Sequence, residues 1–167
     1  MEHKRKSKRR NEVIMANYIK PVVFEIDDKA YGIDINQVQS IENEIDIAPV
    51  PNSVYYVKGI INLRGEVVPV YSLKRKFNIP DDVPCKTMII ISTREVKIAL
   101  EVDRVLEISD IEQDNIVDMP AIIKSSDTDY MDRVANVDNR LIILLDTEKL
   151  LSEEEENSVK KLAEDVQ

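Results

Sequence analysis

Val57-Lys58-Gly59-Ile60-Ile61-Asn62-Leu63-Arg64-Gly65-Glu66-Val67-Val68-Pro69-Val70 decides the fold of this chain. Two apolar runs, Val57 to Leu63 and Val67 to Val70, flank a tight reversal at Arg64-Gly65-Glu66. Gly65 has no Cβ, so it can take the positive φ that a two-residue hairpin turn demands. Pro69 has no amide hydrogen to give to a ladder and is expected at a sheet edge or a bulge. Just upstream, Ala48-Pro49-Val50-Pro51 cannot be helical. Each proline fixes its own φ and pushes the residue before it towards the extended region.

The same style continues outward. Val22, Phe24 and Ile26 fall on one face of a strand, Asp27-Asp28-Lys29 is turn chemistry, and Tyr31, Ile33 and Ile35 then alternate with Gly32 and Asp34. That is a hairpin by period and punctuation. Asn36 to Val38 reads as a helical turn, and Gln39 to Ile47 returns to an extended pattern. Downstream, Lys86 to Ser92 is nearly continuous in apolar residues, as in a strand buried on both faces. Thr93-Arg94-Glu95 reverses it. Val96, Ile98, Leu100 and Val102 alternate with Lys97, Ala99, Glu101 and Asp103, which predicts one buried face and one wet face. Val105 to Ile108 is a short extended piece, and Ala121 to Tyr130 is expected to be a mobile polar connection. Asp132 to Val137 and Arg140 to Leu145 make a further hairpin around Asp138-Asn139. Many short strands with frequent turns predict an all-β barrel or sandwich, a choice this pattern leaves open. The end differs: Ser152-Glu153-Glu154-Glu155 has capping-box spacing, with Glu155 reaching back to Ser152. Val159, Leu162, Ala163 and Val166 give the resulting helix a narrow apolar stripe, expected either to dock on its own domain or to fray in solvent.

The chain has 167 residues, 43 % of them hydrophobic, enough for one compact domain with a real core. Residues 1–14 are expected to be a flexible basic tail, 15–151 the folded domain and 152–167 an acidic C-terminal helix. Met1 to Arg10 carries a net charge of +5, which leaves −14 for the remainder of a chain at −9 overall. So acidic a body argues against nucleic-acid binding. No apolar run approaches the roughly 18 residues of a membrane helix, so no membrane insertion is expected. The basic N-terminus lacks the apolar segment of a secretory signal. The lone cysteine, Cys85, permits no intrachain disulfide and fits a reducing cytoplasm. His3 is the sole histidine, which excludes a phosphotransfer histidine, a Ser-His-Asp triad or a histidine metal site within residues 15–151. Three glycines are too few for a phosphate-cradling loop. Asp81-Asp82, Asp127 with Asp129, and Glu153 to Glu156 read as solvated loops and a helix start rather than as a cation site. No enzymatic activity and no cofactor are expected.

Val57 to Val70 resembles the signature of CheW domains, roughly V-K-G-I-x-N-L-R-G-x-V-x-P-V. Phe24-Glu25-Ile26 followed by Tyr31-Gly32-Ile33 is similar to that family's opening hairpin. Val102-Asp103-Arg104-Val105 is similar to its V-D-x-V, and Leu144-Leu145-Asp146 with Leu150 to its closing strand and helix start. The resemblance runs from about Tyr18 to Leu151. It implies two pseudo-symmetric SH3-like five-stranded β-barrel subdomains on one shared core, with the short α-helix appended. It implies an adaptor in bacterial chemotaxis signal transduction, cytoplasmic and recruited to receptor arrays, a monomer when free. Its partners would be chemoreceptor cytoplasmic tips and the regulatory domain of the CheA histidine kinase, which has the same fold and pairs barrel to barrel.

By the same resemblance, the receptor contacts fall on Val38, Gly59 and Arg64, and Ile41, Asn62, Leu63 and Gly65 complete the candidate set. Several carry a structural reading beside the functional one. Arg64, at a hairpin tip, either presents its planar fork to a partner carboxylate or clamps its own loop. Gly59 either lets a neighbour approach or marks a bulge. Val38 fits the core as well as an interface. Asn62 is expected to tie down its own turn, and Leu63 is either an exposed anchor or core. Tyr55 and Tyr56 point to opposite faces if extended. One departure stands out: the family often has Glu within V-x-E-I, and Val38-Gln39-Ser40-Ile41 carries Ser40.

Overall fold

The computed structural model describes residues 17–93, 96–123 and 128–166. The basic tail with His3, Arg94-Glu95 of one expected turn, residues 124–127 and the side chains of Ala163 and Val166 lie outside the described residues. Three of the expected turns form as two-residue hairpin turns, left-handed at both positions. They are Asp27 (φ 52°) with Asp28 (φ 62°), Arg64 (φ 50°) with Gly65 (φ 88°), and Asp138 (φ 51°) with Asn139 (φ 63°). This geometry matches the right-handed twist of the strands it joins.

The strands assemble into two similar sheets. The first contains β4 (Val38–Asn43), β5 (Val57–Leu63), β6 (Glu66–Ser72), β7 (Thr87–Ser92) and β8 (Lys97–Val102). Its order is β4-β7-β8-β6-β5, with β6 and β8 parallel. The second contains β2 (Pro21–Ile26), β3 (Lys29–Asp34), β9 (Arg104–Ile108), β11 (Ile116–Asp118), β12 (Met131–Val137) and β13 (Arg140–Leu145). Its order is β11-β12-β13-β3-β2-β9, with β13 and β3 parallel. A small ribbon of β1 (Tyr18–Ile19) and β10 (Ile111–Glu112) flanks it. Each sheet is thus two hairpins joined through a parallel pair, plus one edge strand, β4 beside β7 in the first and β9 beside β2 in the second. The first sheet has the expected five strands; the second gains a sixth, β11. The same position in the first sheet is reduced to a single bridge, Ala48 with Ile60. In both, the chain leaving one edge strand returns to the opposite edge, from β4 to Ala48 beside β5 and from β9 to β11 beside β12, which curls the sheet into a barrel.

Three apolar clusters follow from this arrangement. Ile61, Leu63, Val68, Val70, Met88, Ile90 and Ala99 fill the first barrel. Val23, Ile111, Ala135, Ile142 and Leu144 fill the second. The largest lies between them and takes Phe24, Tyr31 and Ile33 from one barrel and Tyr71, Ile89, Ile91 and Leu100 from the other. Strands that serve an inner core and the shared core are buried on both faces. That is as expected for β7, but it corrects the wet face expected for β8: Ala99 and Glu101 are both buried. Glu101 is tolerated there because Lys58 Nζ donates to it at 3.0 Å and also lies 3.2 Å from Asp81. Burial still pushes the Glu101 carboxyl up, against the pull of Lys58.

Pro69 lies inside the first sheet, in a strand with neighbours on both sides, rather than at an edge. Its partner Ile60 directs both backbone groups to Ala48, at 2.8 and 2.9 Å, so that pair needs no proline donor. On the other side the ladder to β8 begins only at Val70.

Asp103 is the single residue between β8 and β9, where the chain passes from one barrel to the other. Its carboxylate accepts from the Asp27 amide at 2.7 Å, from Lys74 Nζ at 2.9 Å and from the Cys85 thiol at 3.2 Å. Burial alone pushes this carboxyl up, but the three donors outweigh it and hold it below the usual range. That is a physical reason for aspartate in the V-D-x-V stretch. The Cys85 thiol is pushed up to about 12, by burial and by the same carboxylate, so it is an inert thiol.

Two short helices, α1 (Leu73–Lys76) and α2 (Thr147–Leu150), follow β6 and β13 at matching places, capped by the Ser72 and Asp146 side chains. Of the two arrangements expected for the C-terminal helix α3 (Glu153–Val166), the docked one forms, with Val159 in the shared core and Leu162 against it. Its capping box is half formed. Ser152 Oγ accepts the Glu155 amide at 3.1 Å, but the Glu155 side chain turns inward instead, accepting from Tyr71 Oη at 3.0 Å and Lys76 Nζ at 3.2 Å. Burial, with that carboxylate beside it, holds the Tyr71 hydroxyl far above its ordinary titration range.

Candidate protein-binding site at the β5–β6 hairpin

The β5–β6 turn projects from the first barrel, next to the edge strand β4. Arg64 is its first turn residue, with the side chain 70 % exposed. One terminal nitrogen, Nη2, donates to Glu42 Oε1 at 3.0 Å, which bridges the tip to β4. Asn62 does tie down the turn: its Oδ1 accepts the Gly65 amide at 2.8 Å. Gly65 has open space where a Cβ would stand, so glycine is there for its φ of 88° alone. On the far side Glu66 is held by Lys97 Nζ at 2.8 Å. The tip is therefore a rigid loop carrying one exposed guanidinium between two carboxylates.

The seven candidate contacts divide between surface and interior. Arg64, Asn62 and Gly65 are exposed, and Ile41 on β4 is 38 % exposed. Val38 is half-buried and packs on the shared core. Leu63 is core, inside the first barrel. Gly59 is buried, and a Cβ built on it would lie 2.1 Å from the Ala48 carbonyl oxygen and 2.9 Å from Ile47. Its neighbour is thus the chain's own backbone, and any contribution it makes to a partner passes through that packing. Ser40 is half-buried on β4. Glu42 escaped the reading of sequence. Its two-residue spacing from Ser40 along an alternating strand was the available signal.

A second feature lies on the other barrel. An apolar groove of about 660 Å³ opens between the ends of β3, β9, β11 and β13, lined by Ala30, Leu106, Val117, Met119, Leu141 and Ile143. Val117 and Leu141 are exposed there. Among the described residues no group of three or more His, Cys, Asp or Glu is placed to hold a metal. No helix among them is long and apolar enough to cross a membrane.

The model of the CheW-like domain matches residues 20–155. The chain belongs to the CheW family. It is 35 % identical to the chemotaxis protein CheW of Thermotoga maritima over 131 residues, 78 % of this chain and 85 % of that protein. With the chemotaxis protein CheW of Bacillus subtilis it shares 30 % over 141 residues, 83 % of this chain and 90 % of that one. The crystal structure of scaffolding protein TtCheW from Thermoanaerobacter tengcongensis superposes with a TM-score of 0.74 at 31 % identity. That match covers 82 % of this chain and 94 % of that one. The CheW family match ends within the first turn of α3.

Proposed function

We propose that this chain is a non-enzymatic coupling protein that joins transmembrane chemoreceptors to the CheA histidine kinase in a cytoplasmic signalling array. The observation that carries this reading is Arg64. The two sister hairpins use Asp27-Asp28 and Asp138-Asn139, residue types that accept left-handed backbone. The third hairpin places arginine there, at a cost of roughly 1 kcal/mol relative to glycine. Arginine has no preference for such a backbone, so its side chain is what the position retains. An exposed guanidinium on a stiff ribbon suits the carboxylates of a helical receptor tip. Ile41 and Asn62 flank it as secondary contacts.

The groove on the second barrel is the surface for the regulatory domain of the kinase. That domain has the same double-barrel fold by family resemblance, and an apolar groove at a barrel mouth suits packing against a like barrel. Two separate surfaces let weak contacts add through geometry and avidity, which is how a coupler works without turnover. Co-sedimentation with receptor-bearing membranes and kinase tests the proposal. The native chain brings kinase down with receptor. Arg64→Ala weakens receptor binding by about 1–3 kcal/mol and leaves kinase binding intact. Unchanged receptor binding overturns the reading.

A further inference from the structure

We infer that Glu42 is a positioning residue for partner binding: it holds the Arg64 guanidinium over β4 in the orientation that receives a partner carboxylate. The inference rests on the coupling role proposed for Arg64 and adds a residue to it. Three observations lead to it. Glu42 stands in the β4–β7 ladder opposite Met88, and its side chain is only 19 % exposed, so its carboxylate is anchored. Arg64 is 70 % exposed and has no other hydrogen-bond partner among the described residues, so Glu42 alone restrains a long side chain that solvent would otherwise leave free. The alternatives nearby are removed: Glu66 is engaged by Lys97 at 2.8 Å, and Ser40 carries no charge.

The chemistry follows from the fork of arginine. Glu42 takes one terminal nitrogen, and the other donors remain at the surface. A fork already fixed loses less rotamer freedom when it meets a carboxylate than a free one does. The pair itself is a half-exposed ion pair and contributes little to folding. Its effect therefore falls on binding and is seen only while Arg64 is present.

A double-mutant cycle on the full chain tests this, reading affinity for a receptor cytoplasmic-tip fragment by calorimetry, with urea unfolding as a control. Glu42→Ala is expected to weaken binding roughly 2- to 12-fold, the equivalent of freezing one rotamer-rich side chain, with little change in the urea midpoint. In an Arg64→Ala background the same change is expected to have no further effect. A full Glu42→Ala loss persisting in that background shows that Glu42 touches the partner itself and overturns the inference. Unchanged or tighter binding by Glu42→Ala overturns it as well, while leaving the role of Arg64 standing. Arg64→Ala without effect overturns both.

Discussion

Replacing Gly59 by alanine separates packing from contact at the centre of the signature stretch. The added Cβ would stand 2.1 Å from the Ala48 carbonyl oxygen, 2.8 Å from its carbon and 2.9 Å from the Ile47 side chain. An ordinary carbon–oxygen approach is about 3.3 Å, so the Ala48 backbone must retreat by roughly 1 Å. Ala48 is held to Ile60 by two hydrogen bonds, of 2.8 and 2.9 Å. Losing them removes about 1 kcal/mol each. Overpacking adds about 1–3 kcal/mol, because the displaced Ile47 packs on the core of the first barrel. The sum is about 3–5 kcal/mol, a large part of the roughly 5–15 kcal/mol that holds a domain of this kind. Urea unfolding measures it. With a slope of about 2 kcal/mol per molar, the midpoint should fall by roughly 1.5–2.5 M at unchanged slope. Gly65→Ala is the control, since nothing stands within 4 Å of its Cβ, and only the left-handed backbone opposes it, by about 1 kcal/mol. A Gly59→Ala protein that unfolds within about 1 kcal/mol of the native chain, yet fails to bind receptor, would refute the packing argument and make Gly59 a direct contact.

Arg64→Asn should raise thermal stability slightly, by about 0.5–1 kcal/mol, because asparagine accepts the left-handed turn, while receptor binding falls; scanning calorimetry beside a binding assay reads both. Lys58→Met leaves the buried Glu101 carboxylate without its partner, and the loss should be about 3 kcal/mol near neutrality. Burial raises the Glu101 folded pKa, so any stability tied to its proton is present at low pH and lost as pH rises through that raised value. The Lys58→Met deficit should accordingly shrink as pH falls, which urea midpoints across a pH series would show. Asp103 has the opposite sign. Its folded pKa is depressed, so its contribution is present above the ordinary carboxylate pKa and lost as pH falls through the lowered one. Asp103→Asn should flatten that acid limb of the unfolding profile. Removing residues 152–167 uncovers the seat of Val159 and takes Glu155 from the Tyr71 hydroxyl; the shortened chain should lose about 2–4 kcal/mol, read by its urea midpoint.

Local features were legible in the sequence, and pairings across long separations were not. Asp27-Asp28, Arg64-Gly65 and Asp138-Asn139 announce their turns because few residue types accept positive φ, and each lies between runs of period two. The alternation in β8 misled, because it records side-chain polarity and takes no account of Lys58, which arrives from another strand to make a buried Glu101 acceptable. Pro69 misled for a similar reason: its tolerance depends on Ile60 turning to Ala48, a bridge no local window displays. The strand pattern also left barrel and sandwich undecided. That choice depends on β6 lying parallel to β8 and β13 parallel to β3, the latter across more than a hundred residues of chain. At the site, Arg64 and Asn62 were readable from the turn they make, whereas the interior positions of Leu63 and Gly59 needed the barrel to be seen.

The two barrels draw on the chain differently. All five strands of the first lie between Val38 and Val102, whereas the second joins β2 and β3 to β9 and β11–β13. On a ribosome the first barrel has its full complement of strands while β12 and β13 are still untranslated. The second must keep its opening hairpin waiting, with Val23 uncovered, until Ile142 and Leu144 emerge to sit beside Ala30 and Gly32. A message cut short before codon 140 would leave the Arg64 tip encoded and the groove on the other barrel without its β13 wall.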